Sequence, residues 1–392
     1  MSELRDFFIS TQPGWEDLLI EELQEVRPWL VGLDGFPWSG VMDLSRENLK
    51  VELGGVHLKL PLEIGLQLNF HLRLASRILL RWTSFHCQSF PDLERRLQQL
   101  KKDKTIFDGI PFKETPGIKV AAQKSRLNNE KRVLETFCKQ WGNQFQKGDE
   151  ESFLYVRVFD DEFTLSLNTS GKHLHKRGFR TYVAEASLRE TLAAWMIRQM
   201  IKGYSTVELQ KMNFIDPMSG AGTLALEASQ IFAPQKMRDF AFQKWNFCPK
   251  ILRTSAFLSN IKSSSQSFGK LFAGDKEAGN LELTQKNAEL AHIEIEVDSK
   301  GQDFFTCEKP EMSAPFMMAL NPPYGERLNI AESPNEYFQK IIHRCAAWGP
   351  IKAVILLPKR AQLKAPANYH LEVIAQTHNG GLDVSLWCLK RI

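Results

Sequence analysis

What the chain lacks narrows it first. Its six cysteines, in 392 residues, stand at 87, 138, 248, 307, 345 and 388, and no two have the spacing of a metal clip. Neither a zinc site nor a secreted disulfide framework is expected from that pattern. No apolar run approaches the ~20 residues a membrane-spanning helix needs. The opening Met1-Ser2-Glu3-Leu4-Arg5-Asp6 lacks the positive-then-apolar order of a signal peptide. There is no short-period repeat, and the one low-complexity stretch, Ser263-Ser264-Ser265-Gln266-Ser267, reads as a loop. Charge of one sign is scarce as well: the net charge is +4 and the pI about 8.6, too mild alone to mark a nucleic-acid binder. By elimination the sequence predicts a metal-free protein of a reducing cytoplasm, with no membrane partner.

What is present is ordinary globular material, 43% hydrophobic and 24% charged, enough for two or three domains. Phe7-Phe8-Ile9-Ser10 predicts a strand that Pro13-Gly14 breaks. Trp15, Leu18, Leu19 and Leu23 then recur at helical spacing, with acids at 16, 17, 21, 22 and 25 on the opposite face. Strands are expected at 41–44, 55–60 and 78–82, a helix over 92–100, and a strand then a helix within 119–141. Residues 95–132 hold eleven Lys/Arg against four Asp/Glu. Such a concentration is either a solvated helix face or a phosphate-contacting surface, and Lys124 and Arg126 are its candidate contacts. Lys172 to Arg180 interleaves cations, two imidazoles and an aromatic; Lys176, Arg177 and Arg180 are the candidates there, a plain basic linker the alternative.

Beyond residue 180 strands alternate with helices, the pattern of a parallel sheet covered on both faces. Strands are expected at 213–216, 271–274, 294–298, 316–320, 353–357, 371–375 and 382–389, with a domain boundary between about 170 and 185.

Two motifs sit at the expected strand ends. Asp216-Pro217-Met218-Ser219-Gly220-Ala221-Gly222-Thr223 ends a strand in an acid and opens a helix through Gly-x-Gly. The glycines allow close backbone approach and φ > 0, and the helix start offers N–H groups to a carboxylate. A plain tight turn would use the same glycines; a dinucleotide loop would add a third. Asp275, at the next strand end, is placed to accept ribose hydroxyls, with Glu277 as a second candidate. Asp303 is placed to accept from an adenine amino group and Phe304 to pack on its ring. The sharpest feature is Asn321-Pro322-Pro323-Tyr324. Two prolines fix the backbone and remove two donors, so the Asn321 side-chain oxygen and the Pro322 carbonyl can both accept from a planar amine, with Tyr324 stacked on the base. Acceptors so placed stabilise charge developing on an attacking nitrogen.

Together Asp216–Thr223 and Leu320–Leu328 resemble the class I RNA methyltransferases that carry a THUMP domain, and are similar to those of the bacterial 23S rRNA guanine-N2 methyltransferases. Phe8–Leu19, Lys124-Ser125-Arg126-Leu127, Leu174–Arg180 and Glu185–Ala194 share the likeness, which spans nearly the whole chain. The resemblance implies a ferredoxin-like element over 1–65 completed by 150–170, a THUMP RNA-binding domain over 66–170, and a Rossmann-like methyltransferase domain over 180–392. It implies S-adenosyl-L-methionine as cofactor, a pocket that includes Ser187, Thr191 and Lys276, and structured RNA as partner, rRNA or tRNA. Some relatives fuse a second methyltransferase domain, for which this length leaves no room. The chain departs from the family in Ser219-Gly220-Ala221, where Cys or Ala and Gly-Ser are usual, and in Asp275-Lys276-Glu277, where Asp-x-Asp is usual. That leaves open how the two acids divide their work. The motif serves adenine N6 as well as guanine N2. A tRNA methyltransferase and a non-catalytic RNA-binding assembly factor are the alternatives. Glu326 and Arg327 fit either a loop anchor or a phosphate contact.

Overall fold

The computed structural model describes residues 3–38, 40, 49–104, 117–142, 146–147, 153–179, 182, 188–261, 267–298, 300–324 and 333–392. The chain divides into two compact units, Met1–Lys176 with Pro234–Lys262, and Arg177–Ala233 with Ser263–Ile392.

The first unit comprises β1 (Leu4–Ser10), α1 (Glu16–Val26), β2 (Lys50–Glu52), β3 (Gly55–Pro61), α2 (Leu62–His71), β4 (Arg77–His86) and α3 (Phe90–Leu100). It continues with β5 (Gly117–Gln123), α4 (Glu130–Trp141), β6 (Gln146–Lys147), β7 (Leu154–Phe159) and β8 (Glu162–Asn168). Its eight strands lie in the order β2-β3-β1-β4-β8-β7-β5-β6. In β1 the period-two pattern buries Phe7 and Ile9 completely and turns Asp6 and Phe8 the other way. In α1 the expected apolar stripe, Leu18, Leu19 and Leu23, is buried. Glu22, expected on its polar face, is buried too. Its carboxylate accepts from the N–H groups of Arg73 (2.8 Å) and Leu74 (3.0 Å), which the loop after α2 would otherwise leave unpaired. The strand expected at 41–44 lies outside the described residues.

The second unit opens with α5 (Glu190–Ile201), α6 (Thr206–Leu209), β9 (Asn213–Asp216) and α7 (Thr223–Gln230). The chain then rejoins the first unit, where residues 234–262 form a short helix, α8 (Ser255–Asn260). This return was not anticipated from sequence. It is fastened by aromatics: Phe240, Phe242 and Phe257 set their rings edge-on to Phe70 at 4.8, 5.9 and 5.9 Å. Arg238 donates to the carbonyls of Ser170, Lys172, His173 and Lys176 at 2.6–3.0 Å, so the turn that carries Lys172 and Lys176 is held by a third cation.

Back in the second unit come β10 (Leu271–Ala273), α9 (Ala278–Ala291), β11 (Glu296–Val297), β12 (Phe316–Leu320), α10 (Pro334–Trp348), β13 (Lys352–Pro358), β14 (Tyr369–Asn379) and β15 (Leu382–Arg391). The sheet order is β11-β10-β9-β12-β13-β15-β14, parallel from β11 to β13 and antiparallel for β15 and β14. Every residue of β9 and β12 is buried, as central strands covered on both faces require. All seven expected strands are present. The order doubles back at β9/β12, so the loops after these two strands leave the same edge on either side of a topological switch point, where open α/β sheets bind ligands.

Candidate active site

The loop after β9 is built around its glycines. Gly220 and Gly222 have φ of +54° and +80°, and a Cβ on Gly222 would lie 2.7 Å from Thr284 Cγ2 of α9. Only glycine therefore lets the start of α7 settle against α9. Thr284 donates to the Gly220 carbonyl (3.0 Å) and Asn287 to the Ala221 carbonyl (3.1 Å). The Ser219 N–H reaches the Gly274 carbonyl and the Gly274 N–H the Asp216 carbonyl, both at 2.9 Å. The loop is thus a fixed cradle before any ligand arrives.

Asp275 does much of that fixing. Its carboxylate accepts from the N–H groups of Gly220 and Glu277, each at 2.9 Å, and from the Asn280 amide at 3.1 Å. It joins the two strand-end loops, which is more than the ribose acceptor expected from sequence. Glu277 and Lys276, by contrast, are exposed and 3.9 Å apart.

Three polar atoms here are buried with no hydrogen-bond partner among the described residues: Asp216 Oδ2, Ser219 Oγ and Asn321 Oδ1. Leaving such atoms unpaired is costly, and they mark where a ligand's donors belong. Burial pushes the Asp216 carboxyl well above its usual range; the Met218 N–H at 3.4 Å opposes that and the charge of Asp275 adds to it. Pro217, Thr223 and Thr191 are buried.

A cavity of about 410 Å³ opens at the ends of β9, β10 and β11, walled by Pro217, Gly274, Asp298, Gln302, Glu308 and Trp348. Asp303 and Phe304 do not line it. Asp303 is exposed and caps the turn that follows, accepting from the Phe305 N–H at 2.8 Å. Phe304, expected as a stacking surface, is 3% exposed and edge-on to Trp348 at 4.9 Å, so its ring belongs to the core. Asp298 and Gln302 were not singled out from sequence. Asp298 follows the third strand as Asp275 follows the second, and that rule would have found it.

Tyr324 also differs from expectation. Only 7% exposed, it accepts from Asn379 Nδ2 at 2.7 Å; its ring is a fixed wall tied to the end of β14, with little open face for a base. Pro322 is buried and Pro323 exposed. Ser187, Arg180, Glu326 and Arg327 lie outside the described residues.

Of the candidate RNA contacts, Lys124, Arg126 and Lys176 are exposed. Lys124 adopts φ +48° with its ammonium 5.3 Å from the Phe159 ring, and Arg126 donates to Gln88 at 2.9 Å. Arg177 is a correction. Its side chain is fully buried, and Nε donates to Glu227 Oε1 at 3.0 Å, beside the apolar cluster of Phe179, Leu226, Ala288 and Ala291. It is a structural ion pair and no RNA contact.

The fold recurs in solved structures. The "possible methylase" from Clostridium difficile 630 superposes with a TM-score of 0.72 at 21% identity, over 100% of this chain and 99% of that one. TrmN from Thermus thermophilus gives 0.62 at 20% identity, over 99% of each. SMU.472, solved in complex with SAH, gives 0.74 at 20%, over 100% and 99%. Among curated sequences, ribosomal RNA large subunit methyltransferase K/L of Psychromonas ingrahamii is 31% identical over 337 residues, 82% of this chain and 42% of that protein. Its counterpart in Shewanella pealeana is 28% identical over 352 residues, 85% and 46%. The chain thus spans under half the length of these relatives. Residues 177–378, which include both strand-end loops, the cavity wall and the Arg177–Glu227 pair, match the model of one family. The chain belongs to the family of RMKL-like methyltransferase domains.

Proposed function

We propose that the chain is an S-adenosylmethionine-dependent RNA methyltransferase acting on an exocyclic base amine, guanine N2 of 23S ribosomal RNA, in the cytoplasm. The observation that carries this is Asn321 Oδ1: a buried, unpartnered acceptor at the end of β12, held by two prolines next to the glycine cradle. The residues present suit the cofactor. Asp216 Oδ2 and Ser219 Oγ await donors, and the cavity beside Asp298 and Gln302 has the volume for a heterocycle.

When bound, the cofactor supplies an electrophilic methyl group on a sulfonium sulfur. The chain does the rest. Asp216 and the Gly220–Gly222 loop would hold the amino-acid end, and Asp275 and Glu277 would accept from the ribose. Asn321 Oδ1 and the Pro322 carbonyl accept the two hydrogens of the base amine, fixing its nitrogen in line and stabilising the positive charge it gains. Tyr324 walls the base edge and excludes water. No strong base is needed, because the proton leaves after the nitrogen has become cationic. The name shared by the relatives supports ribosomal RNA as the substrate. The N-terminal unit is read as the RNA-holding part, a ferredoxin-like element over 1–65 and 150–170 with a THUMP domain over 66–170; exposed Lys124, Arg126 and Lys176 support that reading.

The test is transfer of labelled methyl to 23S rRNA lacking its native methylation, followed by nucleoside mass spectrometry. The product expected is N2-methylguanosine. Asn321→Ala should lower turnover about 10²–10³-fold while calorimetry shows cofactor binding unchanged. A methylated adenosine, transfer to tRNA alone, or cofactor binding without transfer to any RNA would each overturn the reading at a different point.

A further inference from the structure

The first unit's sheet has two unlike faces. One carries the helices and the core, through Phe7, Ile9, Leu58, Leu80, Phe163 and Val156. On the other, the strand registers align polar, cationic and aromatic residues. Lys59 pairs with Asp6, Arg81 with Ser166, Ser166 with Tyr155 and Tyr155 with Lys119; the adjoining rows run from Thr164 to Arg157 and from Glu162 to Phe159. Directly paired residues share a face, so this is one sheet face across β3, β1, β4, β8, β7 and β5, with Ser166 buried beneath Arg81, which donates to its Oγ at 2.8 Å.

Its centre is hollow. A cavity of about 310 Å³ is lined by four cations, Lys50, Lys59, Arg81 and Arg157, against two carboxylates, Asp6 and Glu52. Glu52 is already committed: it meets Lys50 at 3.0 Å and His57 and Arg157 at 3.2 Å, and although burial opposes ionisation, Lys50 and His57 hold its carboxyl down at about 2. Among the described residues Lys59 and Arg81 have no carboxylate within ion-pair distance. Burial pushes the Arg81 guanidinium down to about 10; an anion in the cavity would offset that cost. Around the cavity each aromatic ring of the face has a cation over it: Arg81 4.6 Å from Phe8, Arg157 5.3 Å from Phe159, Lys119 5.9 Å from Tyr155. Cations beside stacking surfaces on an open sheet are what an unpaired strand of nucleic acid requires, its phosphates on the cations and its bases on the rings or guanidinium planes.

We propose that this face seats an unpaired RNA strand, with one backbone phosphate in the cavity between Lys59, Arg81 and Arg157. The proposal rests on the reading that the substrate is RNA, and it joins Lys119, from the basic 95–132 segment, to Lys59, Arg81 and Arg157, which local charge density does not pick out.

The experiment uses the full chain and a fluorescein-labelled unstructured oligoribonucleotide of roughly 12 nucleotides, with anisotropy followed across salt. Lys59→Gln with Arg157→Gln should weaken binding and flatten the log–log salt slope by about 1.4, since each phosphate contact on a single strand contributes about 0.7. Phe159→Leu should weaken binding about tenfold with the slope unchanged, because stacking releases no counterions. Glu52→Gln should tighten binding, a gain that a merely structural Glu52 would not give. Folding of each variant is checked by its melting curve. An unchanged slope in the double variant, with wild-type methyl transfer intact, overturns this face and leaves the proposed function standing. Equal loss of binding to an RNA duplex overturns the unpaired strand as occupant. Wild-type protein that neither binds nor methylates RNA defeats the proposed function itself, and this proposal with it.

Discussion

His71 closes α2 with both ring nitrogens buried and unpartnered among the described residues. Burial, then the charges of Lys236 and Arg73, push its pKa down to about 3. Above pH 6.5 the ring is neutral in both folded and unfolded chains, so its titration contributes nothing. As pH falls from there toward 3, only the unfolded chain takes the proton, so stability is lost. At pH 5.5 the loss should be about 1.4 kcal/mol, and denaturant titrations at pH 7.5 and 5.5 should show it in wild type and not in His71→Leu. Parallel slopes in the two proteins would show that His71 titrates normally. The same scale shows what one sequence can reveal. Asn321 was legible because its motif admits few structures. Phe304 and Tyr324 are less legible, because an aromatic beside a motif reads as a platform, whereas partners distant in sequence, Trp348 and Asn379, decide how much of its face is open.

At the scale of elements, the segment entering the second unit is bolted to α7 and α9. Arg177 reaches Glu227 on α7, while Asn287 on α9 donates to the Tyr182 carbonyl (2.8 Å) and accepts from the Tyr182 N–H (3.2 Å). Both charges of the ion pair are fully buried, so removing one strands the other. Arg177→Met should destabilise the protein by about 3–5 kcal/mol, and Arg177→Met with Glu227→Leu should recover most of that; thermal and denaturant melts decide it. RNA affinity of the double variant should match wild type, and a fall would return Arg177 to the RNA surface. Local charge density marks Arg177 as a contact because it carries no sign of burial. Its partner lies fifty residues on, inside a helix chosen for its apolar face.

For the whole molecule, strand–helix alternation with two strand-end motifs was enough to predict the second sheet, since parallel strands must be joined by crossovers and their ends must hold the loops. The return of residues 234–262 to the first unit was illegible: its Phe240, Phe242 and Trp245 resemble any buried run, and only Phe70 and Gln235's bond to Leu72 (2.7 Å) reveal which core they complete. A fragment of residues 177–392 should therefore bind a hydrophobic dye and aggregate where the full chain does not. A soluble, cooperatively melting fragment would show the return to be dispensable. The same crossing constrains synthesis on the ribosome. The N-terminal core stays without its last aromatics until residue 257 has left the exit tunnel, and by then β9 and α7 are already outside, waiting for β10 and β12. Each unit is split in the chain, so nascent chains should pass through an interval with two unfinished cores, a stage open to chaperone capture or misassembly.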